Sequence, residues 1–340
     1  MCNEKSIRSL KVLVVGTGSI GRRHIRNLLV LGCSVSAYRY RPREAHSEGE
    51  QLLEDVNIVE SLNEAVMVSH DAVVVANNTD KHMDVALMAA RLGKAIFIEK
   101  PLGINLEGTQ SLLDLVSANK LVVEAGYMMR CHPNLRWLKQ QIQQGSIGEV
   151  RYLRAAVGQW LPDWRPGSDH TQGYGAKRGV GGVIFDLIHE LDIVQWLAGD
   201  VRHVNAMTAM VDELCIDTEA IAQMGLCLAN GILAQVHVDY IRPSFHRTLE
   251  VIGQHGEYHW DFLSGTVSYA ARGGRSRVVH SVAPTFERNM LFSNHMHHFL
   301  SRIQNMTLQP ISSLDDSVRT LKVALACHEA AQTGHQQTLY

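Results

Sequence analysis

The chain has 340 residues, enough for two domains that each bury an apolar interior, so it needs no disulfide or metal to hold a core together. A formal net charge of −2, with both signs interspersed, excludes the basic stripe that a nucleic-acid partner demands. Although 46% of the residues are apolar, no run approaches the roughly 18 uninterrupted apolar residues of a membrane helix. The cysteines Cys2, Cys33, Cys131, Cys215, Cys227 and Cys327 form no Cys-x-x-Cys pair and read as reduced thiols. No secretory pattern opens the chain, so a cytoplasmic protein with a small-molecule partner is expected.

Apolar runs at 12–15, 35–38, 72–76, 95–98 and 121–123 alternate with stretches of helical period. That alternation predicts five strand-helix units ending near Gly126 and wound as a parallel sheet. Ser61-Leu62-Asn63-Glu64 reads as a capping box, and Asn105 precedes an amphipathic run through Asn119. Beyond Met128 the pattern changes to a helix over 133–144, ended by Gly145 and Gly148. Strands follow from Glu149, with one-sided alternation over 231–239 and 248–252. The expected division is therefore 1–127 and 128–340, the second part being α+β on a large, mostly antiparallel open sheet. Such a sheet has a face to cover, and a homodimer or homotetramer through it is expected.

Gly16-Thr17-Gly18-Ser19-Ile20-Gly21 follows the first strand and opens a helix, the context in which this spacing cradles a dinucleotide. Gly16 permits the tight turn, Gly18 admits the pyrophosphate, and Gly21 packs helix on strand. The helix N-terminus at Ser19 and Ile20 faces the phosphates. An α/β class with an N-terminal Rossmann sheet follows. Where a carboxylate would hold the ribose of NAD, the second strand ends Tyr38-Arg39-Tyr40-Arg41; Arg39 and Arg41 suit the 2′-phosphate of NADP, the preferred cofactor, over NAD.

Lys100, in Glu99-Lys100-Pro101, stands at the carboxyl edge of the parallel sheet, where ligands bind in such folds. Downstream, Gly181-Gly182 leads into a helical pattern that places Asp186, His189 and Glu190 on one face, with Asp192 beyond. No cysteine or second histidine falls at ligand spacing, so no metal is expected there.

These motifs, with Ala72 to His82 as a strand and turn carrying Asn77 and Asn78, resemble the glucose-fructose oxidoreductase, inositol dehydrogenase and MocA family of NAD(P)-dependent oxidoreductases over nearly the whole chain. The resemblance implies hydride transfer between nicotinamide and a secondary alcohol or ketone of a sugar, cyclitol or sugar derivative. It implies that Lys100 lies beside the nicotinamide, that His189 is the general acid/base, and that Asp186 orients it or binds substrate. It implies a cis Lys100-Pro101 peptide, and cofactor contacts from Asn77, Asn78, His82 and Glu99. Two departures stand out: Asn77-Asn78 replaces the family's usual proline, and Asp186 and His189 are three residues apart where many relatives have four.

The loop Trp160, Trp164, Arg165, Tyr174 can stack sugar faces and pair with an anion, or else serve as an oligomer arm; Arg130 and His132 are further substrate-side candidates. The run Asn294 to His298 reads as helix surface. Two other readings use the same residues: a dinucleotide-dependent glycoside hydrolase or eliminase without net redox, and a non-catalytic NADP-binding sensor.

Overall fold

Val12, Val14 and their neighbours Leu13 and Val15 are all fully buried, as only a central strand covered on both faces allows. This strand, β1 (Lys11–Val15), is followed by helix α1 (Ser19–Val30) and strand β2 (Ser34–Tyr38) in a computed structural model that describes residues 7–40, 51–54, 56–164, 167 and 169–339. Next come β3 (Asn57–Val59), α2 (Glu64–Val68), β4 (Ala72–Val75), α3 (His82–Arg91), β5 (Ala95–Ile98), α4 (Thr109–Asn119) and β6 (Val123–Ala125). The six strands are parallel, in the order β3-β2-β1-β4-β5-β6. The order reverses at β1, which opens the crevice between the carboxyl ends of β1 and β4 where ligands sit in doubly wound sheets.

Three local expectations are corrected. A sixth strand, β3, joins the five, and its three half-exposed or exposed residues are too few to display a period. The capping box at Ser61 and Glu64 does not form: Asn63 caps α2 by accepting from Val66 N–H at 3.0 Å, and Ser61 Oγ accepts instead from the Asn63 amide. Asn105 likewise closes a local turn onto Glu107 N–H, and α4 starts later, at Thr109.

The later strands build a second sheet. After α5 (Pro133–Gln143) and β7 (Val150–Gly158) come two short helices, α6 (Val183–Asp186) and α7 (His189–Ala198). Strands β8 (Val201–Ala209), β9 (Ile221–Leu228), β10 (Leu233–Asp239), β11 (His246–Gly253), β12 (Gly256–Asp261), β13 (Thr266–Ala271) and β14 (Arg277–Ser281) follow. Helices α8 (Asn289–Gln304) and α9 (Leu314–Thr333) and the edge strand β15 (Gln337–Thr338) complete the chain. The nine-stranded order is β14-β13-β12-β11-β7-β10-β9-β8-β15, with β7 and β10 parallel and the other pairs antiparallel.

The chain divides into two compact units, Met1–Cys131 with Glu287–Val318, and His132–Phe286 with Arg319–Tyr340. This grouping differs from the linear cut at 127/128 because α8 returns to the first unit. There Met296, Phe299 and Leu300 are buried in one core with Val12, Val14 and Phe97. A charged knot fixes the return: the buried Glu124 carboxylate accepts from His295 Nε2 at 3.2 Å, Arg302 Nη1 at 2.9 Å and Ser312 N–H at 2.9 Å. His295 is therefore an interior residue and not helix surface, a correction to the reading of the Asn294 to His298 run. No helix among the described residues is long and apolar enough to cross a membrane.

Candidate active site

In the first unit, the glycine loop divides into two fixed positions and one open one. Gly16 has φ 106°, and a Cβ there would lie 2.5 Å from the Ala76 carbonyl oxygen, so the turn belongs to glycine twice over. A Cβ on Gly21 would collide with the Gly16 carbonyl, whereas one on Gly18 would meet nothing within 4 Å. Gly18 and Ser19 are exposed, and Ile20 is half-buried. No side chain caps α1 at its Gly18 N-cap, and no acidic residue occupies its first turn, so the helix N-terminus keeps its positive potential for an anion. These residues fit a dinucleotide pyrophosphate: backbone donors of 19–21 and the room beside Gly18 would hold it.

Beside the loop, β2 ends at Tyr38, which meets Tyr40 edge to face at 4.9 Å, with half-buried Arg39 between them. Tyr40 Oη accepts from Asn77 Nδ2 at 3.4 Å, which ties the β2 and β4 turns. Arg41 lies outside the described residues. Asn78 is exposed. His82 lies beneath this turn, one ring nitrogen 2.9 Å from the Pro101 carbonyl and the other 3.1 Å from that of Asn77. Burial pushes its pKa down while the two carbonyls pull it back up, leaving it lowered. The Lys100-Pro101 peptide is cis.

His82 thus braces the two loops, and Glu99 is a brace as well. Its carboxylate is buried, accepts from His24 Nε2 at 2.7 Å on α1, and sits where a side chain on Gly126 would be. Burial raises the Glu99 pKa, but the His24 bond, with the charges of His24 and Lys100, more than offsets this and holds it low. Lys100 itself is half-buried at the mouth of β5. Arg130 is buried and pairs with Asp316 at 2.8 Å, a bond within the first unit's own fabric.

In the second unit the helix expected over 183–192 is broken. The chain leaves α6 after Asp186, turns through Leu187 and Ile188, and restarts at His189, so Asp186, His189 and Glu190 do not share one helix face. Their partners differ accordingly. Asp186 accepts from Tyr174 Oη at 2.8 Å on one oxygen and from Tyr240 Oη at 2.7 Å on the other. Glu190 is buried against Arg247 of β11, receiving Nε at 2.7 Å and Nη2 at 3.1 Å, and so pins α7 to the sheet. His189, first residue of α7, is buried beside it. Tyr240 and Arg247 were not singled out in the sequence, and only their place near strand ends distinguishes them there.

Trp164 donates to the Gln159 carbonyl at 3.2 Å and lies edge-on to Tyr240 at 5.2 Å, while Trp160 is half-buried. Arg165 lies outside the described residues. His132 is 1% exposed inside Trp260, Phe262 and Phe286, and its Nδ1 accepts from Asn134 N–H at 3.2 Å to cap α5. Burial, with Arg247 nearby, drops its pKa to about 3. His132 is a packing residue in this arrangement.

The first unit therefore has the cradle of a nicotinamide-dependent oxidoreductase, and the second holds a carboxylate bonded by two phenols and, three residues on in the chain, a buried histidine. The model of the oxidoreductase family with an NAD-binding Rossmann fold matches residues 10–127, and the model of the GFO/IDH/MocA C-terminal domain matches residues 135–259. The chain belongs to this GFO/IDH/MocA oxidoreductase family.

An uncharacterized oxidoreductase of Streptococcus pneumoniae is 30% identical over 200 residues, 58% of this chain and 53% of its own, so the match spans about half of that relative. Myo-inositol 2-dehydrogenase of Thermotoga maritima is 24% identical over 92% of this chain and 89% of its own. Among solved structures, levoglucosan dehydrogenase in complex with NADH shares the fold with a TM-score of 0.84 at 18% identity, over 98% of this chain and 99% of that one.

Proposed function

We propose that this chain moves a hydride between a nicotinamide dinucleotide and a secondary alcohol or ketone of a sugar, cyclitol or sugar derivative, with NADP preferred over NAD. The observation that carries the reading is the uncapped α1 terminus at Gly18, with Lys100 at the mouth of β5 in the same unit. When bound, the nicotinamide accepts or supplies the hydride. Lys100 places positive charge where an alkoxide develops, and His189 takes the hydroxyl proton or returns it, a task suited to an imidazole. Asp186, with both oxygens engaged by tyrosines, is a carboxylate held in a fixed orientation, suited to orienting His189 or accepting from a substrate hydroxyl.

NADP preference rests on Arg39 and Arg41 where a carboxylate would repel a 2′-phosphate. The inositol and levoglucosan named for the relatives support a polyhydroxylated substrate. Trp160, Trp164 and Tyr174 supply faces on which such a ring stacks. Assembly into a homodimer or homotetramer through the open sheet, in the cytoplasm, completes the proposal. Exposed Met207 on β8 and Leu233 on β10 favour the assembly.

The test is turnover of NADP⁺ and NAD⁺ with myo-inositol, levoglucosan and a panel of sugars. In Lys100→Ala and His189→Ala, kcat should fall by about 100-fold or more while dinucleotide affinity holds. Unchanged turnover in both variants would remove the assigned roles.

A further inference from the structure

Behind the Asp186 segment lies an acid that the chemistry above does not use. Glu219 precedes β9, and its backbone carbonyl accepts from Val183 N–H at 3.2 Å while its Oε1 accepts from Ile184 N–H at 3.3 Å. These are the first two donors of α6, the helix that ends at Asp186. The carboxyl occupies the space that a Cβ on Gly182 would fill, and Gly182 has φ 110°. The glycine entry to this segment therefore does more than turn the chain. It makes the seat for Glu219.

We propose that Glu219 is a positioning residue for the 183–189 segment, holding the start of α6 in place as a neutral, protonated carboxyl. The proposal rests on the reading that this segment does the chemistry, through Asp186 and His189. Three titratable groups face Glu219 from the elements around it. Asp186 stands on α6, Tyr240 lies just past β10, and His328 on α9 brings Nε2 to 4.0 Å from Oε1. Tyr174 is one hydrogen bond further on, through Asp186.

None of these supplies Glu219 with a counter-charge. Burial pushes its pKa up to about 7, the backbone bonds only partly oppose this, and the Asp186 carboxylate pushes it further. Burial lowers His328 to about 4, so its ring is neutral when Glu219 titrates. The folded-state pKa of Glu219 is thus raised above the unfolded value of 4.5. The stability tied to its proton is complete below that value and is lost as pH rises through about 7.

Hydrogen exchange of the full-length protein, read by mass spectrometry on peptides spanning 182–190, tests this without a substrate. After correction for the base catalysis of exchange itself, wild-type protection should fall about tenfold between pH 6 and pH 8.5. Glu219→Gln, which keeps the acceptor and cannot ionise, should hold its protection at both pH values. Glu219→Ala should lose it at both, also by about tenfold. Denaturant midpoints of the wild type and Glu219→Gln should agree near pH 4, below the unfolded pKa, and separate in favour of Gln by pH 8.5.

Wild-type protection in Glu219→Ala, or a Gln variant as unprotected as Ala, would overturn the positioning role. A midpoint difference independent of pH would overturn the neutral form. Turnover of myo-inositol with NAD⁺ separates this proposal from the function it rests on. If the wild type turns over, kcat of Glu219→Ala should drop tenfold or more with KM for NAD⁺ unchanged, and Glu219→Gln should restore it. A wild type inert toward the whole panel counts against the proposed function, while the exchange result still decides Glu219.

Discussion

Gly18 and Gly21 belong to one motif but answer to different constraints, and substitution separates them. A Cβ on Gly18 meets open space, so Gly18→Val should leave thermal stability nearly unchanged and abolish dinucleotide binding by filling the phosphate's place. A Cβ on Gly21 meets the Gly16 carbonyl, so Gly21→Ala should destabilise the fold by about 1–3 kcal/mol. Thermal melts with and without NADPH give both quantities. The motif was legible in the sequence because its spacing is itself the geometry. His132 was not, because a histidine after an arginine reads the same whether it faces a ligand or an aromatic box. Its folded pKa of about 3, against an ordinary value of 6.5, means that its stability contribution is complete above pH 6.5 and lost as pH falls. Denaturation midpoints of His132→Asn should therefore fall less steeply than those of the wild type between pH 6.5 and 4, by up to about 1.4 kcal/mol per pH unit. Glu219 acts in the opposite sense over part of that range, so the comparison between variants, not the wild-type slope alone, isolates His132.

The segment from α6 to α7 shows what helical periodicity conceals. Apolar residues at helical spacing predict one continuous helix, yet the chain breaks it at Leu187 and Ile188. The break sends Asp186 to two tyrosines and Glu190 to an arginine. A period survives a two-residue turn, whereas side-chain directions do not. Glu190 and Arg247 form a bidentate pair with both side chains at or below 5% exposure, so removing one partner strips a buried charge of two short charge-assisted bonds. Arg247→Leu should cost about 3–5 kcal/mol, and the double variant Arg247→Leu with Glu190→Leu should recover much of it. Urea denaturation of the singles and the double closes the cycle. A double variant as unstable as the single would mean that the pair is irreplaceable for docking α7. Similarly, Phe299→Ala on α8 should cost about 3–5 kcal/mol, since that ring is fully buried in the first unit's core.

Across the whole molecule, the classes of the two sheets were readable and their membership was not. Continuous apolar runs marked β1, β4 and β5 because strands covered on both faces are apolar throughout, and one-sided alternation marked β10 and β11. The short β3 and the return of α8 to the first unit left no local signature. The return depends on long-range partners, with Glu124 meeting His295, Arg302 and Ser312. The same limit applies to the candidate functional residues. Lys100, Asp186 and His189 stood out by motif, while Tyr240, Arg247 and Glu219 emerge only when distant strands bring them to the motif's side.

The central claim is that the loop at Gly18 takes a nicotinamide dinucleotide. Calorimetric titration of the purified, cofactor-stripped protein with NADPH and then NADH addresses it, with a mass check for dinucleotide carried through purification. Saturable binding of both, NADPH the tighter, and its loss in Gly18→Val is the predicted result. Binding of neither, with none retained from purification, would contradict the account.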